Sequence, residues 1–105
     1  MLELTKETFE KEVIGAEGTV VVDFYGDGCV PCEALRPRVE ELAEKYAASF
    51  KFMALNTSKA RRLTISQKVL GLPVLAVYKD GEKLRELVGE DATAGNLDAL
   101  LQELD

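Results

Sequence analysis

The feature that most constrains this chain is the run at residues 19–25, Thr-Val-Val-Val-Asp-Phe-Tyr. A nearly unbroken series of β-branched and aromatic residues is typical of a strand that is buried on both faces in the middle of a sheet. Only Asp23 interrupts the series. Such a strand needs neighbouring strands and helices that cover the sheet, so an α/β domain is predicted.

One helix is predicted on each side of this run. A short first helix over residues 5–15 has Phe9 and Val13 on its apolar face, with Thr5 as its N-cap. A longer helix runs from residue 32 to about residue 48, because apolar residues recur there at three- and four-residue steps. Pro37 lies inside this helix and should kink it.

The remaining elements predict a mixed sheet. Residues 50–55 form a second buried strand, which is parallel to the first because a helix joins the two. A less regular helix over 58–70 precedes a strand at 74–78, and a tight turn leads from there into an antiparallel strand at 83–88. A terminal helix over one face of the sheet is indicated by an apolar stripe of Leu97, Leu100, Leu101 and Leu104.

Length and composition limit the number of domains and the classes of partner that this chain can have. At 105 residues the chain forms one domain, residues 1–105. Its net charge of −6 argues against nucleic-acid binding, because phosphate contacts call for a basic surface. No apolar stretch approaches the roughly 20 residues that span a bilayer, and no secretory signal is visible. We therefore expect a cytoplasmic monomer that binds neither nucleic acid nor membrane.

Charge is distributed unevenly along the chain. Residues 1–50 carry eleven acidic and five basic residues, whereas residues 56–70 contain no acidic residue. That basic stretch is either a solvated helix face that complements the acidic first half or a docking surface. Its basic residues are Lys59, Arg61, Arg62 and Lys68.

The only two cysteines, Cys29 and Cys32, stand where the apolar run gives way to a helix. This spacing lets the two sulfurs bridge when the first cysteine opens the helix and the second lies one turn inside it. The helix N-terminus favours a thiolate over a thiol, and only the thiolate attacks a disulfide. Cys29 is therefore the predicted nucleophile and Cys32 the resolving thiol.

Two other interpretations of this motif remain open. A zinc or iron–sulfur site needs about four ligands. Because the chain has two cysteines and no histidine, a metal would require carboxylates or a second chain. A purely structural disulfide would close a loop too short to restrict the unfolded chain much. Redox chemistry is favoured, with no bound metal and no cofactor beyond the disulfide between the two cysteines.

Together these motifs make the whole chain resemble members of the thioredoxin family. In that family a buried strand ending in Asp-Phe-aromatic leads to a C-x-P-C site, as residues 23–25 lead to residues 29–32 here. A helix-kinking proline, a Gly-Leu-Pro-Val segment at residues 71–74 and a Lys-Asp-Gly turn at residues 79–81 also match. The resemblance implies the thioredoxin fold, a central mixed β-sheet flanked by helices on both faces.

The resemblance also implies a function and a substrate site. Such a protein is a thiol–disulfide oxidoreductase that passes electrons from a flavin-containing thioredoxin reductase to protein disulfides. A cis bond before Pro73 would leave the backbone beside the sulfurs, where a substrate strand adds hydrogen bonds. An ordinary trans proline opening an edge strand is the alternative. The implied substrate-binding residues are Gly28, Val30, Pro31, Leu72, Pro73 and Gly89.

Asp23 is a candidate for proton transfer. Burial should raise its pKa toward a value suited to proton exchange with Cys32. The alternative is an aspartate that escapes to solvent at the strand end. A lysine that often lies near this aspartate in the family is replaced by Ala54. This replacement removes a cationic neighbour from Asp23 and predicts that its pKa is higher still.

Departures from the common family pattern indicate a subgroup. Gly28 and Tyr25 replace two common tryptophans, so part of the usual rim is absent. Residues 28–32, Gly-Cys-Val-Pro-Cys, and residues 56–62, Asn-Thr-Ser-Lys-Ala-Arg-Arg, are similar to divergent thioredoxins of anaerobic amino-acid-fermenting bacteria. In that subgroup electrons pass to the glycine, sarcosine or betaine reductase complex. The resemblance implies a dedicated reductase that is matched to the altered rim and the two arginines.

Two alternative functions use the same fold. Disulfide oxidants and isomerases often carry a histidine between the cysteines, and this chain has none, so a reductant is favoured. A non-catalytic adaptor would bind a partner subunit and would tolerate loss of either cysteine. The complete dithiol motif argues against that role.

Overall fold

A five-stranded mixed sheet forms the centre of the computed structural model, which describes residues 1–105. Numbered along the chain and given in sheet order, the strands are β1 (Leu2–Leu4), β3 (Phe50–Asn56), β2 (Thr19–Tyr25), β4 (Val74–Lys79) and β5 (Glu82–Val88). Both β1 and β2 pair in parallel with β3, whereas β4 is antiparallel to β2 and to β5. The predicted mixed sheet is confirmed.

Strand β2 lies at the middle of this sheet and is buried on both faces. It is hydrogen-bonded to β3 along one edge and to β4 along the other. The side chains of residues 20–24 are all at most 1% exposed. Val20, Val22 and Phe24 face one apolar cluster, whereas Val21 faces the other, and Asp23 shares the face of Val21 because side chains alternate along a strand.

Helices cover both faces, as predicted. Helices α1 (Val30–Lys45) and α3 (Ala94–Leu104) pack on the face that carries Val21. The other face is covered by a turn of π-helix, Glu10–Ile14, and by helix α2 (Arg61–Ser66). A short 3₁₀ turn, Gly89–Asp91, connects β5 to α3. None of these helices combines the length and the apolar character needed to cross a bilayer.

The N-terminal region differs from the prediction. Strand β1 was not predicted, because three residues at a sheet edge, two of them exposed, give no readable alternation. The first helix starts later than residue 5. The hydroxyl of Thr5 accepts hydrogen bonds from the N–H groups of Glu7 and Thr8, which closes a turn before the helical residues begin.

The predicted helix over residues 58–70 is divided in two. The side chain of Asn56 accepts a hydrogen bond from the N–H of Ser58 and opens a 3₁₀ turn, Thr57–Lys59. Ala60 then takes an extended φ of −148°, which separates this turn from α2. Lys68 has a positive φ of 60°, so no regular helix continues to residue 70. Helix α1 ends at residue 45, three residues earlier than predicted.

We predict that Leu97→Ala destabilises the protein by about 3 kcal/mol, because Leu97 is 0% exposed and its loss leaves a cavity between α3 and the sheet. Leu100→Ala is the matched control, since Leu100 lies on the same helix but is only half-buried. Urea unfolding followed by circular dichroism measures both variants. Equal losses of unfolding free energy in the two variants would contradict the assigned core.

Candidate functional site

The two cysteines lie where β2 passes into α1. Cys29 is the N-cap residue of α1, with an extended backbone, and Cys32 lies in the first turn. Their sulfurs form a disulfide with an S–S distance of 2.08 Å and a Cα–Cα distance of 5.2 Å. Cys29 is half-buried, whereas Cys32 is only 4% exposed. The first sulfur is therefore the one that a partner reaches more easily.

The start of α1 surrounds the sulfur of Cys29 with positive partial charge. The backbone N–H of Cys32 donates a hydrogen bond to Sγ of Cys29 over 3.3 Å. Free N–H groups at a helix N-terminus, together with the helix dipole, stabilise an anion at this position. When the disulfide is reduced, the same groups favour the thiolate of Cys29.

The loop that precedes the first cysteine is held by the residues that follow β3. The N–H of Asp27 donates to the hydroxyl of Ser58 over 3.0 Å, and the amide of Asn56 donates to the Asp27 carboxylate over 3.0 Å. The hydroxyl of Thr57 donates to the carbonyl of Tyr25 over 2.8 Å. Sequence reasoning missed this support, although it had singled out the Asn-Thr-Ser segment as unusual.

The peptide bond between Leu72 and Pro73 is cis. Val74 pairs with Phe24 near the end of β2, so the residues just before β4 lie at the end of the sheet that carries the cysteines. The N–H of Gly89 donates to the carbonyl of Pro73 over 2.9 Å. The structure therefore places the predicted residues Leu72, Pro73 and Gly89 at the same end of the sheet as the disulfide.

Gly26 is a further site residue that sequence reasoning missed. A Cβ at this position would lie 2.9 Å from Cδ1 of Leu72 and 3.3 Å from Oγ of Ser58. The absence of a side chain thus lets the loop between β2 and Cys29 pack directly against the loop before β4. The other predicted substrate-binding residues, Gly28, Val30 and Pro31, are exposed around the disulfide.

Asp23 is buried on the face of the sheet that α1 covers and is 1% exposed. Neither of its carboxylate oxygens accepts a hydrogen bond, and Nε of Arg36 lies 3.4 Å from Oδ2, an ion pair. Burial raises the pKa of Asp23 from 3.8 to about 6, while the Arg36 guanidinium opposes the rise and Glu3 and Glu40 add to it. The alternative in which Asp23 escapes to solvent is wrong.

The cation beside Asp23 does not come from the neighbouring strand. Ala54 does lie beside Asp23 on the adjacent strand, as the register of β2 and β3 shows. The positive charge comes instead from Arg36, which reaches down from α1. The pairing crosses from helix to sheet, so the residue pattern of the strands did not reveal it.

The basic stretch lies on an open part of the surface. Its four cationic side chains are exposed, and none of them forms an ion pair: Lys59, Arg61, Arg62 and Lys68. Arg61 also lines an open groove of about 490 Å³ together with Ile65, Leu70 and Leu72. The groove therefore extends from α2 to the loop that contains the cis bond. No group of three or more His, Cys, Asp or Glu side chains is arranged to hold a metal ion.

Comparison with known proteins agrees with this geometry. The family model described as Thioredoxin matches residues 1–103. The chain is 54% identical to a thioredoxin of Peptoclostridium acidaminophilum over 101 residues, which cover 96% of this chain and 92% of the relative. It is 52% identical to a thioredoxin of Acetoanaerobium sticklandii over 103 residues, 98% of each chain. Thioredoxin C-2 of Corynebacterium nephridii is 34% identical over 81% of this chain and 79% of its own length.

We predict that Asp23→Asn stabilises the oxidised protein at pH 8 by about 2–3 kcal/mol and has little effect near pH 4. The folded-state pKa of about 6 exceeds the ordinary 3.8, so the parent binds more protons when folded than when unfolded between those values. Its stability therefore falls as pH rises from about 4 through about 6 and then levels off. Because asparagine does not ionise, the Asp23→Asn variant does not show this loss of stability.

Urea unfolding at several pH values between 4 and 8 measures this effect. Asp91→Asn is the control, because it makes the same exchange at an exposed position. If Asp23→Asn and the parent lost stability in parallel between pH 4 and pH 7, the burial argument for Asp23 would be refuted.

Proposed function

Because this chain belongs to the thioredoxin family and is a thiol–disulfide oxidoreductase, we propose that it reduces protein disulfides with Cys29 as the nucleophile and Cys32 as the resolving thiol. The observation that carries these roles is the asymmetry of the disulfide. Cys29 is the more exposed residue and caps a helix, whereas Cys32 is buried one turn inside that helix. Exposure and a stabilised thiolate suit attack on a partner, and burial suits an internal second step.

The proposed exchange proceeds in two substitutions at sulfur. The Cys29 thiolate attacks one sulfur of the substrate disulfide, the substrate S–S bond breaks, and the second substrate sulfur leaves as a thiolate and takes up a proton. Cys32 then loses its proton to Asp23 or to water and attacks Sγ of Cys29. The bond from Cys29 to the substrate breaks, and the substrate sulfur leaves as a thiolate and takes up a proton. The substrate is thus released as a dithiol with two more electrons, and the Cys29–Cys32 disulfide forms again.

The proposed substrate site is the surface around the disulfide. Exposed apolar side chains stand there, among them Val30, which is 71% exposed, and Val88, which is 45% exposed. Pro73 has no N–H, so its position before β4 presents a loop backbone against which an extended substrate segment binds. Leu72 and Gly89 border this loop. Gly28 and Pro31, which are exposed and next to the cysteines in the sequence, complete the proposed site.

We also propose that the protein works in the cytoplasm and receives its electrons from a flavin-containing thioredoxin reductase. The groove beside Arg61 supports docking of an acidic partner surface, because the neighbouring side chains are cationic and free of ion pairs. Leu70, which is 89% exposed, offers an apolar contact at the edge of the same groove. Charge complementarity of this kind accelerates association more than it strengthens binding.

The proposed final acceptor is an amino-acid reductase complex of the glycine, sarcosine or betaine type. The support is the resemblance of residues 28–32 and 56–62 to the subgroup that serves such complexes. A reconstituted system tests it: reduced protein, purified glycine reductase complex and glycine. Glycine-dependent oxidation of the Cys29–Cys32 dithiol is expected, and no oxidation above the rate without glycine would contradict this acceptor.

We predict that Cys32→Ser accumulates a covalent complex with a disulfide-containing partner, because the first attack proceeds and the second cannot. Cys29→Ser forms no such complex, because the buried Cys32 is not presented to the partner. Non-reducing gel electrophoresis after incubation with an oxidised target measures both. Equal trapping by the two variants would contradict the assigned roles, and full function without Cys29 would indicate an adaptor.

We predict that Arg61→Glu lowers kcat/KM in a thioredoxin reductase assay about tenfold at low ionic strength and less at high salt, because screening weakens surface electrostatics. Lys51→Glu makes the same change of charge. Lys51 is exposed near the start of β3, at the end of the sheet away from the cysteines. Equal effects of the two substitutions would assign the loss to net charge and exclude the groove as the docking site.

A further inference from the structure

Asp23 is the one charged side chain that is buried, and it forms an ion pair with a single cation. The Arg36 guanidinium approaches Oδ2 at 3.4 Å, and no hydrogen bond to either carboxylate oxygen is present. The strand neighbours at this level, Ala54 on β3 and Leu75 on β4, carry no charge. The ionisation of Asp23 therefore depends on Arg36 more than on any other residue.

The remaining charged groups around Asp23 act in the opposite direction. Glu40, from α1, and Glu3, from β1, both raise the pKa of Asp23, as burial does. Arg36 is the only group that lowers it. Removing the Arg36 charge would leave a desolvated carboxylate whose pKa two further carboxylates also raise, so the equilibrium would move toward the neutral form of Asp23.

Arg36 also stands next to the resolving cysteine. Residues 32 and 36 lie one turn apart on α1 and thus on the same side of the helix. Both line a small open cavity of about 300 Å³ together with Tyr25 and Glu33. Arg36, which pairs with Asp23, therefore lines the same cavity as the cysteine that must lose a proton in the second step.

A chain of contacts holds the guanidinium in place. The carbon at the centre of the Arg36 guanidinium lies 4.6 Å from the centroid of the Tyr25 ring, a cation–π contact. The hydroxyl of Tyr25 in turn donates a hydrogen bond to the Glu3 carboxylate over 2.6 Å. The Arg36 side chain is 28% exposed, so without these contacts it would be free to turn outward.

We propose that Arg36 is a positioning residue for the resolution step: it keeps the carboxylate of Asp23 ionised beside Cys32, so that Asp23 accepts the Cys32 proton. The proton moves from Sγ of Cys32 to Asp23, the Cys32 sulfur bonds to Cys29, and the bond from Cys29 to the substrate breaks. This inference rests on the proposed function.

The test uses reduced protein mixed with Ellman's reagent, a small aromatic disulfide that releases one coloured thiolate in each of two steps. The first release reports attack by Cys29, and the second reports resolution by Cys32. Stopped-flow absorbance between pH 5 and pH 9 separates the two phases. The reagent needs no protein docking surface, so a role of Arg36 in partner recognition does not enter the measurement.

For Arg36→Met we expect the second phase to keep its plateau at high pH and to move its midpoint up by about one pH unit. At pH 6, where about half of Asp23 is ionised in the parent, this shift slows resolution about fivefold. The first phase stays unchanged. Arg36→Lys restores most of the parent profile, and Arg36→Gln behaves as the methionine variant does. Arg38→Met is the matched control on an exposed position of α1 and follows the parent.

A second-phase profile of Arg36→Met or Arg36→Gln that superimposes on the parent's would overturn the inference. So would equal slowing of both phases, which would mean that Arg36 acts on Cys29 or on the helix as a whole. A parent protein that shows no second release at all would overturn the proposed function instead, which keeps the two failures distinguishable.

Discussion

The burial of β2 on both faces is the constraint on which the rest of the structure depends. Strand β2 is hydrogen-bonded to β3 and β4 and has apolar contacts above and below it, so its position in the sheet is fixed. Its C-terminal end therefore delivers Cys29 to a defined place at the start of α1. The same pairing brings the start of β4, and Pro73 with it, to that end of the sheet. A rigid scaffold thus positions two loops whose sequences determine the chemistry.

The same burial explains why an acidic residue in β2 has consequences. An aspartate in this position destabilises the folded protein progressively as the pH rises from about 4 through about 6, because the charged form is desolvated. The ion pair with Arg36 offsets only part of that penalty, since the pKa of Asp23 remains raised. In the proposed resolution step a pKa of about 6 suits Asp23 to accept the Cys32 proton, and the lost stability would be the cost of that reactivity.

Strong local patterns made much of the fold predictable from the sequence. The β-branched run of β2, the helical spacing after Cys32 and the turn before β5 each carry their signal within a few residues. Strand β1 has only three residues and shows no such sequence pattern. The division of the helix over 58–70 depends on Asn56 and on the backbone of Ala60, and such breaks are not visible in apolar periodicity.

The candidate site was predictable to a similar extent. Both cysteines, Pro73 and Asp23 follow from motifs along the chain. Arg36 does not, because its pairing with Asp23 forms between a helix and a sheet and depends on how the two pack. The replacement of a strand lysine by Ala54 suggested a missing cation, and the structure supplies that cation from another element. Inspection of a single strand cannot reveal a charge that another layer of the fold supplies.

The measurement that tests the central claim most directly is the reduction potential of the Cys29–Cys32 couple. The protein is equilibrated in dithiothreitol redox buffers, its free thiols are alkylated, and mass spectrometry gives the reduced fraction, a readout that does not need a tryptophan. A two-electron transition near about −270 mV is the predicted result for a disulfide reductant. A transition near about −180 to −120 mV, or no two-electron transition, would contradict the account.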